Sequence, residues 1–226
     1  MRNPVLDHLE QRLADYGHLI CHASLNDPIP QEWEQYVTQS PVALEVIQDV
    51  LYDTLTYTSA TTTELIFLQN TLANVKRDLT NMILSGMLPN PESFLVQCPR
   101  FYVKWTATAL TAATFAATVA PDLVLITNTG IITMQFGTKK YGPYPLWIFS
   151  SGGGPDIRMS NNATPPIFTD YAQLGGPLFA MFPHMMVAPL QSFNVTANWP
   201  SGAVTLGAGN PPLEWYFEGQ RARAIS

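Results

Sequence analysis

Charge is scarce in the second half of this 226-residue chain: only ten charged side chains lie between Trp105 and Ser226, five acidic and five basic. The first 104 residues hold the other twelve acidic and six basic groups, so the whole net charge of -6 resides there. A solvated domain surface carries roughly a quarter charged residues, whereas this chain carries 12%. A surface so poor in charge is either unusually buried or covered by other subunits, which points to a part of an assembly. Basic stripes are missing as well. The pairs Lys139–Lys140 and Arg221/Arg223 are the nearest approach, too little for nonspecific capture of nucleic acid through its phosphates.

There are two cysteines, Cys21 and Cys98, in no CxxC arrangement. They read as reduced thiols of a protein made in the cytoplasm, and a domain of this length needs neither disulfide nor metal to fold. The Asn-X-Thr triplets at Asn162 and Asn194 then carry no glycosylation meaning, because the opening MRNPVLDHLEQRL is charged and periodic, unlike a signal peptide. Long apolar runs are missing too. The nearest, Ala107 to Ile126, is broken by threonines, Pro121 and Asp122, short of the roughly 18 apolar residues of a spanning helix.

Concentrated catalytic chemistry is thin. The histidines are His8, His18, His22 and His184, and no GxSxG, P-loop or HExxH occurs. His18, Cys21 and His22 have the spacing of metal ligands on a helix, but Gly17 ends the first helix before them and no second ligand cluster follows. GTKKYG (137–142) lacks the phosphate-loop order and reads as a hairpin turn, and the triple glycine at 152–154 precedes no helix. Asp156, Asp170 and His184 with Ser150 or Ser151 form a set that any chain of this length offers. The cluster Phe179, Met181, Phe182, Met185 and Met186 reads as core packing or a subunit contact. The expectation is a non-enzymatic protein with no cofactor, no metal and no small-molecule substrate.

What is present is punctuation and periodicity. Asn3 caps a first helix, Pro4 suits its first turn and Gly17 ends it, with Leu6, Leu9, Leu13 and Tyr16 along one apolar face. A helix this short is marginal alone, so that face must dock on the chain or on a neighbour. After a linker at Asn26–Pro30, a second helix is expected from Ser40, with Val42, Val46, Ile47 and Val50 on one side. Strands then follow: LYDTLTYTS, TELIFLQN, SFLVQCPRFYVKWTA, LVLIT, IITMQFG, YPLWIFS, PLFAMFPHMMVAP, QSFNVTANW and LEWYFEGQRARAI. Residues 71–91 read as an irregular excursion with one short helix, 108–119 as a short helix or loop, and 150–166 as a long Gly/Pro-rich loop. Pro99 marks a bulge or an edge within its strand. Eight or nine strands separated by turns favour a mainly β, antiparallel sandwich, with residues 1–50 as an N-terminal helical arm and 51–226 as the sandwich.

Short words in this layout resemble a known family. TNMILSGMLPNPESFLVQ (80–97), YPLWIFSSGGGP (144–155), FPHMMVAPLQSFNVTANWP (182–200) and LEWYFEGQRARAI (213–225) look like segments of the single jelly-roll capsid proteins of tailless icosahedral bacteriophages, over roughly residues 50 to 225. The resemblance implies an eight-stranded jelly-roll sandwich and a structural role: a capsid subunit that self-assembles into an icosahedral virion shell. It implies as partners further copies and other virion proteins, with an internal membrane as the alternative neighbour, no direct nucleic-acid binding, and residence in the virion after synthesis in the host cytoplasm. Candidate interface residues are Leu6, Leu9, Leu13, Tyr16, Phe182, Met185 and Met186. The competing readings are a minor virion component (penton, spike base, decoration or tail protein) and a non-viral carbohydrate-binding β-sandwich stacking sugars on Trp147, Trp199, Trp215 or nearby tyrosines.

Overall fold

The computed structural model describes residues 31–40, 43–103, 118–149, 157–159, 168–171 and 185–225. Two four-stranded antiparallel sheets face each other across one core. In chain order the elements are helix α1 (Gln31–Gln39), strands β1 (Leu44–Thr56), β2 (Glu64–Phe67) and β3 (Ser93–Val103), helix α2 (Ala120–Thr129), and strands β4 (Ile131–Phe136) and β5 (Lys139–Pro145). A 3₁₀ turn (Leu146–Phe149) follows, then the short strands β6 (Ile157–Met159) and β7 (Phe168–Tyr171), which pair with each other, and β8 (Met185–Val187), β9 (Phe193–Asn198) and β10 (Pro212–Ala224). The first sheet has the order β1-β10-β3-β8 and the second β2-β9-β4-β5. The β4–β5 hairpin stays within one sheet, while the chain passes to the opposite sheet between β1 and β2, β2 and β3, β3 and β4, β8 and β9, and β9 and β10.

Alternation decides which side chains fill the space between the sheets. β9 turns Phe193, Val195 and Ala197 inward and Asn194, Thr196 and Asn198 outward; β4 does the same with Ile132, Met134 and Phe136 against Ile131, Thr133 and Gln135. From the first sheet come Leu51, Phe94, Val96, Phe101, Leu213, Trp215 and Phe217. Rings bridge the two layers: Phe136 lies 5.7 Å from Phe217, and Phe149 meets Trp215 edge-on at 5.0 Å. One end is closed by α2, where Trp199 donates its indole N–H to the Ile126 carbonyl (3.1 Å) and Asp122 accepts from the N–H groups of Gly207 and Ala208 (3.0 and 2.7 Å).

The structure corrects several local expectations. The second helix spans 31–39, with Trp33, Tyr36 and Val37 on one face, and the segment expected to be helical from Ser40 is the start of β1. Its β-branched residues satisfy either period, and the decision falls to β10, which pairs with every residue from Leu44 to Thr56. The arm expected over residues 1–50 is therefore not seen as a helical unit: residues 1–30 lie outside the described residues, and Leu44–Val50 belongs to the sandwich. LVLIT is part of α2, because Pro121 and Asp122 open a helix there and Leu123, Ile126 and Thr127 form its buried stripe. YPLWIFS divides between β5 and the 3₁₀ turn, and residues 71–91 hold turns and isolated bridges but no helix. The 150–166 loop contains β6. Cys98 is disulfide-bonded rather than a free thiol; sequence separation does not report spatial distance, and Cys21 lies outside the described residues.

Pro99 shows both features expected of it. Between Glu218 and Gly219 the register slips, one step on β10 matching two on β3, so Gln97 is an extra, bulged residue. β8 reaches only Phe94–Val96, leaving Pro99 with a strand partner on the β10 side alone among the described residues. The bulge presses the backbones together: a Cβ on Gly219 would lie 1.9 Å from the Leu95 carbonyl oxygen. Gly219→Ala should cost at least about 2 kcal/mol, read as a lowered denaturant midpoint.

A buried carboxylate fixes the turn after β2. Asp53 is fully buried; its Oδ2 accepts from the N–H groups of Leu68 (2.7 Å) and Asn70 (3.4 Å), and its Oδ1 from Asn70 Nδ2 (3.0 Å). Leu68 has φ +68°, a left-handed conformation rare for leucine that this anchor helps to hold. Burial raises the Asp53 pKa, opposed by hydrogen bonds from Asn70 and Leu68. A raised folded value means that the group's contribution is complete below the ordinary carboxylate pKa and is lost as pH rises through the folded value. Asp53→Asn should keep the Leu68 acceptor and flatten this loss in melting curves taken between about pH 4 and pH 8. Asp53→Ala, which strands the Leu68 and Asn70 donors, should cost about 2 to 3 kcal/mol.

Candidate interaction surfaces

The two outward sheet faces differ in chemistry, and the difference follows from register. On the second sheet the outward rows are Glu64, Asn198, Ile131 and Pro145; then Ile66, Thr196 and Thr133; then Asn194, Gln135 and Lys140. Charge occurs only on the two edge strands, as Glu64 and Lys140. Between them runs a ladder of Thr, Asn, Gln and Ile, with Ile66 43% exposed. Removing such a face from water carries little of the desolvation cost of ions.

The first sheet is covered or charged. Trp33 of α1 packs on Leu95 and Ala222, with Tyr36, Val37, Leu44, Val46 and Met186 around them, forming an apolar cluster separate from the inter-sheet core. Farther along the same face, Thr54 pairs with Glu214, Tyr52 with Tyr216 and Val50 with Glu218, and β3 adds Tyr102, Arg100 and Cys98 in the same rows. The Arg100 guanidinium holds Glu218 through Nε (3.1 Å) and Nη2 (3.0 Å), and Thr54 Oγ1 donates to Glu214 (2.9 Å). Burial pushes the Tyr216 hydroxyl up to about 12, opposed by Arg100. Burial also raises Glu218, again opposed by Arg100. This network is a fixed, half-buried lattice rather than a reactive site. At the far end of the sheet, Arg221 pairs with Asp49 (3.0 Å) and Arg223 with Glu45 (2.6 Å).

A third surface is apolar. α2 packs against the 3₁₀ turn and leaves Val124 and Leu125 exposed, and the turn exposes Trp147. Exposed apolar groups that form a patch mark contact sites more often than isolated ones do.

The expected site residues separate accordingly. Leu6, Leu9, Leu13, Tyr16 and Phe182 lie outside the described residues, as do all four histidines. Met185 points into the inter-sheet core at 4% exposure, whereas its neighbour Met186 points out to the Trp33 cluster. Neither methionine is an exposed contact. Of the tryptophans proposed as sugar platforms, Trp199 and Trp215 are buried and Trp147 is exposed. GTKKYG is a hairpin: Gly137, at φ +57°, and Thr138 make the turn between β4 and β5. The interaction candidates missed by sequence reasoning are Ile66, Val124 and Leu125, each inside a segment read as a buried strand. Among the described residues no helix is long and apolar enough to cross a membrane, and no group of His, Cys, Asp and Glu could hold a metal ion. No protein family, curated protein or solved structure matches the chain.

The disulfide at Cys98 has a direct chemical readout. Alkylation of the unfolded, unreduced protein should leave Cys98 unmodified in a peptide mass map, and prior reduction should make it react.

Proposed function

We propose that this chain is a structural protein of a virion: a capsid subunit, built on a single eight-stranded jelly roll, that self-assembles into an icosahedral shell. The observation that carries the reading is the nesting of strand pairs, β1 with β10, β2 with β9, β3 with β8 and β4 with β5. A chain folded back as one ribbon of four antiparallel pairs and wrapped around a core produces this order. The same nesting is expected of a jelly roll of the capsid and lectin kind and supports that reading. β6 and β7 form an excursion between β5 and β8.

The surfaces favour the capsid branch. The uncharged outer face of the second sheet spans, at strand spacings near 4.8 Å and rises near 3.3 Å, roughly 400 Å². A stable contact buries about 800 Å² per partner, so this face must act together with other surfaces such as the apolar α2 end. The burial of Trp199 and Trp215 removes two of the tryptophan platforms offered for the lectin alternative. Arg100, Arg221 and Arg223 are already paired with carboxylates, which leaves little basic surface for a genome. The partners are then other copies and other virion proteins, with an internal membrane as the alternative neighbour. The role requires no catalytic residue or cofactor. Disulfides persist outside reducing compartments, so on this reading Cys98 is oxidised after the virion leaves the host cytoplasm.

Electron microscopy and size-exclusion chromatography of the purified chain test the reading. Pentamers, hexamers or shells support it, a stable sugar-binding monomer overturns it, and copy number per particle separates a major from a minor virion component. Ile66→Asp and Leu125→Asp should each abolish assembly while shifting the unfolding free energy by no more than about 0.5 kcal/mol, as exposed substitutions do.

A further inference from the structure

Beneath α1 three buried polar groups lie without a hydrogen-bond partner among the described residues. Ser93 lies opposite Ala222 and Leu95 opposite Gln220, making one four-residue block on β3 and β10. Trp33 rests on one diagonal of that block, Leu95 and Ala222. The other diagonal is Ser93 and Gln220, and Gln97 follows Leu95 on the same strand at the bulge. Trp33 Nε1, Gln97 Oε1 and Gln220 Oε1 are shielded from solvent and form no hydrogen bond among the described residues, while the Ser93 hydroxyl meets that of Tyr36. The three residues are 1%, 8% and 3% exposed.

The inventory is complementary: one indole N–H that only donates and two amide oxygens that only accept. Buried polar groups in folded proteins are almost always paired, and a buried water typically satisfies about three of them. A molecule accepting from Trp33 Nε1 and donating to both oxygens would close the set. Charge does not suit the site, because no ionised side chain belongs to the block. An apolar ligand would leave all three unpaired.

We infer that the seam between α1 and the first sheet is a built binding site for ordered water, and that bound solvent is part of what seats α1. Gln48, exposed and opposite Gln220 on β1, places the site one residue from bulk solvent and so provides an entry path. The seat is therefore distinct from the dry inter-sheet core, and its occupant can exchange without unfolding the sandwich. This inference does not rest on the capsid reading and survives its failure.

The test combines a high-resolution crystal structure with substitutions at the seam. Density within hydrogen-bond reach of both Trp33 Nε1 and Gln220 Oε1 is expected. Gln220→Leu and Gln97→Leu should each accelerate hydrogen exchange of the α1 amides several-fold, and the double variant should accelerate it by less than the product of the two, because both act through one occupant. Absent density, or slower α1 exchange in Gln220→Leu, would mean a dry seam in which the amide is merely unpaired, and would overturn the inference. Multiplicative effects of the two substitutions would also overturn it. Should Gln220→Leu fail to fold, Gln220→Glu at low pH, where the acid is protonated, keeps the acceptor and should exchange like the wild type.

Discussion

The first sheet depends on β10. This thirteen-residue strand, almost the last of the chain, is bonded to β1 along its whole length and to β3 along most of it. Neither β1 nor β3 has the other as a neighbour, so without Pro212–Ala224 the first sheet is two separate edges. The constraint explains the alternation of LEWYFEGQRARA better than local preference does. Leu213, Trp215 and Phe217 serve the core, while Glu214, Tyr216 and Glu218 serve the outer lattice. Nearly every contact that matters is distant in sequence, a topology associated with slow folding.

Edges are the liability of such a sandwich, and each is treated differently. β5 carries Lys139, Lys140, Pro143 and Pro145 on the rim of the second sheet. β1 is long and would be a ready template. Its second half is sealed by the 79–81 segment, where the Asn81 side chain bonds the Tyr52 N–H and the Val50 carbonyl, and Thr54 N–H reaches the Leu79 carbonyl. Asp53 works from the same stretch of β1 on the turn after β2. One short length of strand thus organises two loops.

Much of this was legible in the sequence. β3, β4, β9 and β10 follow from runs of β-formers bounded by Pro, Gly and Asn. Other parts were not legible, for identifiable reasons. Leu123–Thr127 is an apolar run of five that fits either a buried strand or a helix, and only its packing under Trp199 separates them. Val46 and Val50 satisfy helical spacing and strand alternation alike, and the partner that decides between them lies some 170 residues away. Met185 and Met186 look equivalent in sequence yet face opposite sides of a sheet. The Arg100, Glu214 and Glu218 lattice comes from two segments more than a hundred residues apart, and register alone assembles it.

The contrast between the outward faces has a further consequence. Attraction between ions at a surface is screened within about 10 Å at ordinary ionic strength, whereas contacts through Thr, Asn, Gln and Ile are nearly indifferent to salt. The chain thus presents one face that carries paired ions and one that carries almost none. Raising the ionic strength weakens the pairs of the first face and leaves the ladder of the second as it was.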